Sequence, residues 1–456
     1  MNGDQAGLGS QMPSLTPLHE TYCKWDHSPP SQADLLEGLA QLFSTRLGSV
    51  VQDLIQVMQR EMLLSIFGVS TKKSKQIQDT AYINTVYQLT YGALQKYGSE
   101  LIAPSLRQII NIFPDLHDKP LTPSLNFLVG VLNGILGDYL LKEHNPLALP
   151  MVLYDHYGAI QQGGLNGRVV IFAHGLCMNH HDWTHSSYAG IGEKLLSQRD
   201  NNTMLYLNYN SGRRISANGR SLSKALQDLV ERNPRITSID LIGHSMGGLV
   251  IRSALFYGKQ NMQQWFHMVE NLVCLASPHH GAVLERFGFA LQEKFGNLPV
   301  IKLISHIVNI RSNGILDLRH GSVRDDDWEH NDARIGLVDD NRKPAPLPSH
   351  INTYFAAGSV ELVINKKRNL PLKIIGDYLV SIKSALGEHP NPRFQLKLPE
   401  SHKAIFYGLN HFNIQYHPNV AEQIVQWFYP SQEDLKQEQM NKYLIKLESL
   451  QGIVET

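Results

Sequence analysis

Three things are scarce in this chain of 456 residues, and each scarcity removes a class of protein. Cysteine is the first: Cys23, Cys177 and Cys274 are the only 3. An odd, scattered set is no disulfide framework, and it points to a reducing compartment. Charge of one sign is the second, since 41 Lys plus Arg stand against 41 Asp plus Glu. No net field draws such a chain to nucleic acid or to an anionic membrane. The third is a long apolar run. The longest mostly apolar stretch, Leu125 to Leu141, is interrupted by Asn126, Asn133 and Asp138, and it falls short of the roughly 20 residues that span a bilayer. Met1 to Leu18 is polar and rich in Gly, Ser and Gln, without the basic start and apolar core of a signal peptide. The expectation is a soluble, cytoplasmic protein with a disordered tail over 1–18.

What is present is a globular composition, 42% apolar and 18% charged, enough to bury a sizeable core. No internal repeat or long low-complexity segment interrupts it. Residues 19–150 read as a helical N-terminal region. Val51, Leu54, Ile55, Met58, Met62 and Ile66 recur at helical spacing, and so do Leu125, Leu128, Val129, Leu132, Ile135, Leu136 and Tyr139. Such stripes read as faces packed on a neighbouring domain. The competing reading is a helix docked on a lipid surface, a peripheral membrane contact.

After Pro150 the texture changes. Short β-rich runs at Arg168–Ala173, Thr203–Asn208, Ser238–Ile242, Leu272–Ala276, Ile351–Ala357 and Ala404–Tyr407 alternate with helical patterns at Ser221–Val230, Met246–Tyr257 and Ala421–Phe428. The expected fold class is α/β, with a mainly parallel central sheet and helices on both faces, over residues 151–432. A helical tail follows at 433–456. The segment 281–349 is too long for an ordinary connection. It reads as an insertion whose apolar part, Phe287 to Ile310, forms a cap over an apolar cleft or a passive surface helix pair.

The strongest chemical signal is Gly243-His244-Ser245-Met246-Gly247-Gly248, between a strand and a helix. A serine at that turn projects its hydroxyl above the sheet, and the glycines give room where side chains would clash. A serine hydroxyl needs a base to act as a nucleophile. Acyl transfer also needs two backbone donors for the oxyanion. The amide of Met246 is one candidate. His174-Gly175-Leu176 directly follows the first central strand, which makes Leu176 the other and His174 a prop for the loop.

With these residues in hand, the run from Ala173 to the C-terminus resembles a lipase or esterase of the α/β-hydrolase superfamily, most like the GPI-inositol-deacylase-like and bacterial triacylglycerol lipase branch. Tyr209-Asn210-Ser211-Gly212, Asn218-Gly219-Arg220 and Ser277-Pro278-His279-His280-Gly281 carry the likeness together with the His-Gly-Leu and Gly-His-Ser-Met-Gly motifs. The resemblance implies the order serine, acid, histidine. Its acid segment matches Gly376-Asp377-Tyr378-Leu379-Val380 followed by Ser384-Ala385, with Tyr378 where the family usually has Gly. That selects Asp377, against Asp317 and the Asp325, Asp326, Asp327 cluster. Its histidine segment matches Asn410-His411-Phe412, which selects His411 over His402 and His417.

The implied activity is hydrolysis of a carboxylic ester, on a small-molecule or lipid substrate, through an acyl-enzyme on Ser245. An acyltransferase using the same serine and an inactive scaffold on the same fold are the alternatives. No cofactor is implied. His180, His181 and His185 near Asp182, with His279 and His280, match no zinc spacing and read as polar loop residues around a pocket. Cys177 and Cys274 read as small core residues.

Overall fold

The computed structural model describes residues 29–44, 102–158, 163–184, 190–198, 202–283, 312–328, 340, 342–361 and 376–432. Seven strands make one sheet: β1 Val152–Tyr154, β2 Asn166–Ala173, β3 Asn202–Asn208, β4 Arg235–His244, β5 Val269–Leu275, β6 Asn352–Ser359 and β7 Lys403–Tyr407. Their spatial order is β1-β3-β2-β4-β5-β6-β7. Every neighbouring pair is parallel except β1, which lies antiparallel on β3. The six strands expected from β-rich runs are all present, most with an added residue or more at one end. β1 was not expected, because three residues carry no periodicity to read.

Ten helices surround the sheet among the described residues: α1 Gln32–Phe43, α2 Ile102–Ile112, α3 Pro123–Lys142, α4 Ile191–Leu196, α5 Ile215–Arg232, α6 Met246–Gln260, α7 Gln264–Met268, α8 Asn313–Asp317, α9 Ile382–Ala385 and α10 Pro418–Phe428. Strand alternation sends β2 side chains to two separate cores. Val169, Ile171 and Ala173 join Leu132, Leu226 and Leu249 of α3, α5 and α6. Val170 and Phe172 join Ile191 of α4 and Ile424 of α10. A parallel strand buried on both faces reads in sequence as an unbroken apolar run, as Arg168–Ala173 did. The expected helix over 51–66, the apolar part of the insertion at 287–310 and the tails at 1–18 and 433–456 lie outside the described residues.

Helix α3 extends a little beyond the helical spacing read over Leu125–Tyr139. It runs for 20 residues, because Thr122 caps its first turn, Pro123 opens it and Lys142 closes its last turn. By length and composition alone it could cross a membrane, yet 67% of Leu125–Lys142 is buried inside the protein. The expected stripe of Leu125, Leu128, Val129, Leu132, Ile135 and Leu136 is wholly within the core, with Tyr139 packed at its edge. The polar interruptions are structural. Asn133 is fully buried; its amide donates to Val129 O at 2.8 Å and Leu147 O at 2.7 Å, and accepts from Leu149 N at 2.9 Å. This side chain ties α3 to the segment that enters β1.

Replacing Asn133 with Leu keeps the volume but strands the buried carbonyl of Leu147 and amide of Leu149. Asn133→Leu is expected to lower unfolding stability by about 2–4 kcal/mol, read from the midpoint of urea denaturation.

Candidate active site

Ser245 stands alone between the last residue of β4 and the first residue of α6, and its backbone has φ 54 and ψ −123. A side chain rarely adopts positive φ, at a cost of about 1–3 kcal/mol. A strand that turns directly into a helix demands it. The amide of Ser245 donates to Leu275 O of β5 at 2.8 Å, so the turn is pinned to the sheet. Neighbouring positions have no room for side chains. A Cβ on Gly243 would lie 2.5 Å from Gly248 N, and one on Gly247 would lie 2.3 Å from Ala173 O.

Two loops bring partners to the serine hydroxyl. His411 Nε2 lies 2.8 Å from Ser245 Oγ, and His411 Nδ1 lies 2.7 Å from Asp377 Oδ2. The carboxylate accepts, so Nδ1 carries the ring proton and Nε2 is left to accept from the hydroxyl. Asp377 is held by more than the histidine. Its Oδ1 accepts from Leu379 N at 3.0 Å and Val380 N at 2.8 Å, and its carbonyl accepts from His411 N at 3.1 Å. Asn410 Oδ1 accepts from Phe412 N and Asn413 N, which shapes the turn that carries His411. His411 and Asp377 are both buried.

The loop after β2 supplies the second wall. Leu176 and Ser245 line one small cavity of about 20 Å³ together with Met178, Pro278, Val283 and His411. Met246 opens α6, so its amide has no carbonyl to reach within the helix. Cys177, next to Leu176, has φ 60. That backbone is braced: Cys177 N donates to Ser211 Oγ at 3.2 Å, and Tyr209 Oη donates to His174 O at 2.7 Å. Tyr209 N donates to His174 Nε2 at 3.3 Å, so the His174 proton is on Nδ1, 2.9 Å from Gly175 O. His174 therefore props its own loop. Helix α3 closes in from behind, where a Cβ on Gly134 would sit 2.2 Å from Cys177 Sγ.

The competing residues are occupied elsewhere. Asp317 accepts from Arg214 Nη1 at 2.5 Å and from Ile215 N at 2.8 Å, and burial pushes its carboxyl up to about 6 against the pull of that arginine. Asp325 pairs with Arg220, Asp326 with Arg324 and Lys343, while Asp327 accepts from Val323 N and Arg324 N. His402 lies 2.9 Å from Thr353 O, and His417 caps α10. His180 stacks on Tyr154 and His181 beside it, Asp182 caps the turn from Asn179, and His185 lies outside the described residues. His279 and His280 do not join them but line a different cavity. Cys177 and Cys274 are fully buried, and burial pushes the Cys274 thiol up to about 12.

Three contributors escaped the sequence reading. His244 Nε2 donates to His411 O at 2.8 Å, so the residue before the serine holds the histidine loop. Ser384 Oγ donates to Gly281 O at 2.9 Å and accepts from His280 N at 3.0 Å, joining the acid segment to the loop after β5. Helix α3 is the third. The first two sat within quoted motifs, but nothing in a motif states which carbonyl a side chain reaches.

Residues 164–389 match the model of a family described as PGAP1-like alpha/beta domain. The match includes Leu176, Ser245 and Asp377 and ends before His411. No curated protein matches the chain. Among solved structures, the mature lipase BlEst2 of Bacillus licheniformis is similar over 60% of this chain and 96% of its own, at 16% identity and a TM-score of 0.37. Naproxen esterase of Bacillus subtilis is similar over 61% and 87%, at 13% identity and a TM-score of 0.32. An esterase of Pyrococcus furiosus is similar over 60% and 88%, at 15% identity and a TM-score of 0.34.

Tyr378 follows the acid with φ 81 and an exposed side chain. The glycine usual at this position in the resembling family is explained by that backbone, and this chain carries a tyrosine there against the steric preference. Tyr378→Gly is expected to raise stability by about 1 kcal/mol, measured as a higher denaturation midpoint; a lower one would show that the tyrosine ring contributes more than its backbone costs.

Proposed function

We propose that this chain, whose residues 164–389 match the PGAP1-like alpha/beta domain model, hydrolyses carboxylic esters through an acyl-enzyme on Ser245. The observation that carries the reading is the continuous relay from Asp377 Oδ2 through both nitrogens of His411 to Ser245 Oγ, at 2.7 Å and 2.8 Å. A hydroxyl, an imidazole and a carboxylate in that order are what acyl transfer requires.

In this mechanism His411 Nε2 takes the hydroxyl proton as Ser245 Oγ attacks the ester carbonyl. The Asp377 carboxylate stabilises the imidazolium that forms. The amides of Leu176 and Met246 donate to the oxyanion, each worth about 10²–10³ in rate. His411 returns the proton to the departing alcohol. Water then attacks the acyl-enzyme, with His411 again as base, and releases the acid. The cavity walls beside Ser245 are Leu176, Met178, Val283, Leu318, Leu379 and Val380, which supports an apolar acyl group as the preferred substrate part, in a small or lipid ester.

The test is a chain-length series of p-nitrophenyl esters with the wild type, Ser245→Ala and Asp377→Asn. Ser245→Ala is expected to lose turnover and labelling by a fluorophosphonate. Asp377→Asn is expected to lower kcat by about 10³–10⁴ while the fold persists. Wild-type turnover that survives in Ser245→Ala rejects the proposal, as does folded wild type that neither labels nor turns over.

A further inference from the structure

On the far side of the loop after β5 lies a second, larger cavity of about 110 Å³. Pro278 lines the cavity at Ser245, and the next two residues, His279 and His280, line this one. Its walls also carry Arg252 from α6, Arg342, Lys343 and Arg393. Four cations from three segments converge there.

The carboxylates nearby are committed. Asp340 holds Arg342 through both oxygens at 2.8 Å, and Asp326 pairs with Lys343 at 3.2 Å. Asp327, the one carboxylate in the wall, accepts from the amides of Val323 and Arg324 at 3.0 Å and of Lys343 at 2.9 Å. Among the described residues, neither Arg252 nor Arg393 has a carboxylate within 4.0 Å. Arg252 is buried, and its fork reaches His279 Nδ1 at 3.2 Å and Ala345 O at 3.0 Å. Burial pulls its guanidinium down to about 10, a sign of a charge short of compensation.

His279 adds an independent observation. A guanidinium only donates, so His279 Nδ1 must accept from Arg252 and the ring proton must sit on Nε2. That Nε2 is buried and has no hydrogen-bond partner. His279 is a lining residue of the cavity, and a buried donor without a partner is uncommon in a folded protein. Arginines on different walls suit an anion with oxygens pointing in several directions, as a tetrahedral phosphate has. We propose that this cavity is a binding site for a phosphate group, held by Arg252, the Nε2–H of His279, and Arg393 and Lys343 at its rim. The site is separate from the serine relay and does not depend on the ester-hydrolase reading.

The experiment uses the full chain and inorganic phosphate as the probe, by calorimetric titration and thermal unfolding at fixed ionic strength. Phosphate is expected to bind saturably and raise Tm by about 2–3 °C, with acetate or chloride at equal ionic strength giving no such rise. The exposed Arg393→Ala is expected to weaken binding about tenfold without loss of fold, and Arg252→Lys to weaken it further. A second arm uses phosphatidylcholine vesicles with and without phosphatidic acid. Binding to the acidic vesicles alone, lost in Arg393→Ala, identifies a lipid headgroup as the source of the phosphate; binding of inorganic phosphate identifies a free anion. The proposal is overturned if wild type binds neither probe, if acetate matches phosphate, or if both variants bind as wild type does.

Discussion

Everything at the candidate site depends on one residue holding a backbone conformation it disfavours. Ser245 turns β4 into α6 without a linker, at positive φ, and this costs about 1–3 kcal/mol. The strain persists because the helix it starts is among the most deeply buried parts of the molecule. Leu249, Val250, Ile251, Ala254 and Leu255 of α6 are all in the core, and each large one contributes about 1.5–3 kcal/mol on burial. Summed burial exceeds the strain, so the turn is held by packing a turn or two away from the serine. The glycines are part of the same constraint, since a side chain on Gly247 would clash with the carbonyl of Ala173 where α6 lies close to β2.

Support for the serine comes from parts of the chain that carry none of its chemistry. The N-terminal helix α3 gives its glycines to close approach: Gly134 against Cys177, Gly137 against Asn210. Asn210 Nδ2 donates to Gly137 O at 2.7 Å, and Ser312 Oγ to Gly134 O at 2.7 Å. The loop that carries Leu176 is therefore pressed between α3 and the residues after β3. Residues before 151 read as a region of their own in the sequence, yet α3 lies in the same hydrophobic core as β2, β3 and β4. If the amide of Leu176 donates to the oxyanion as proposed, its loop needs that backing, because preorganised donors lose their advantage if they must reorient during reaction.

Strand and helix order was legible because a doubly covered parallel sheet writes itself as short β-branched runs separated by helical periods. The serine was legible for a related reason: a sharp turn excludes side chains, and exclusion leaves glycines. His411 and Asp377 came through resemblance, since a lone Asn-His-Phe or Gly-Asp-Tyr has no local physics that marks it. Their hydrogen bonds span 166 and 34 residues, and no periodic pattern records contacts at such separations. The same holds for His244, whose partner is a carbonyl 167 residues away. Asn126, Asn133 and Asp138 looked like interruptions, but each is a donor or acceptor to a neighbouring loop.

Buried charge is handled in two ways in this fold. Asp377 accepts from two amides and His411; Asp240 from Arg168 and Asn271; Asp317 from Arg214 and Ile215; Asp327 from three amides. These four carboxylates are each surrounded by donors, as a charge in a low-dielectric interior must be. Arg252 has a carbonyl and an imidazole instead, and it borders an open volume whose one lining carboxylate, Asp327, is already committed to three amides. Water filling that volume would satisfy hydrogen bonds but not charge. A core that completes the shell of every one of these acids and leaves one arginine facing a cationic cavity is built to receive an anion from outside, one loop away from the serine.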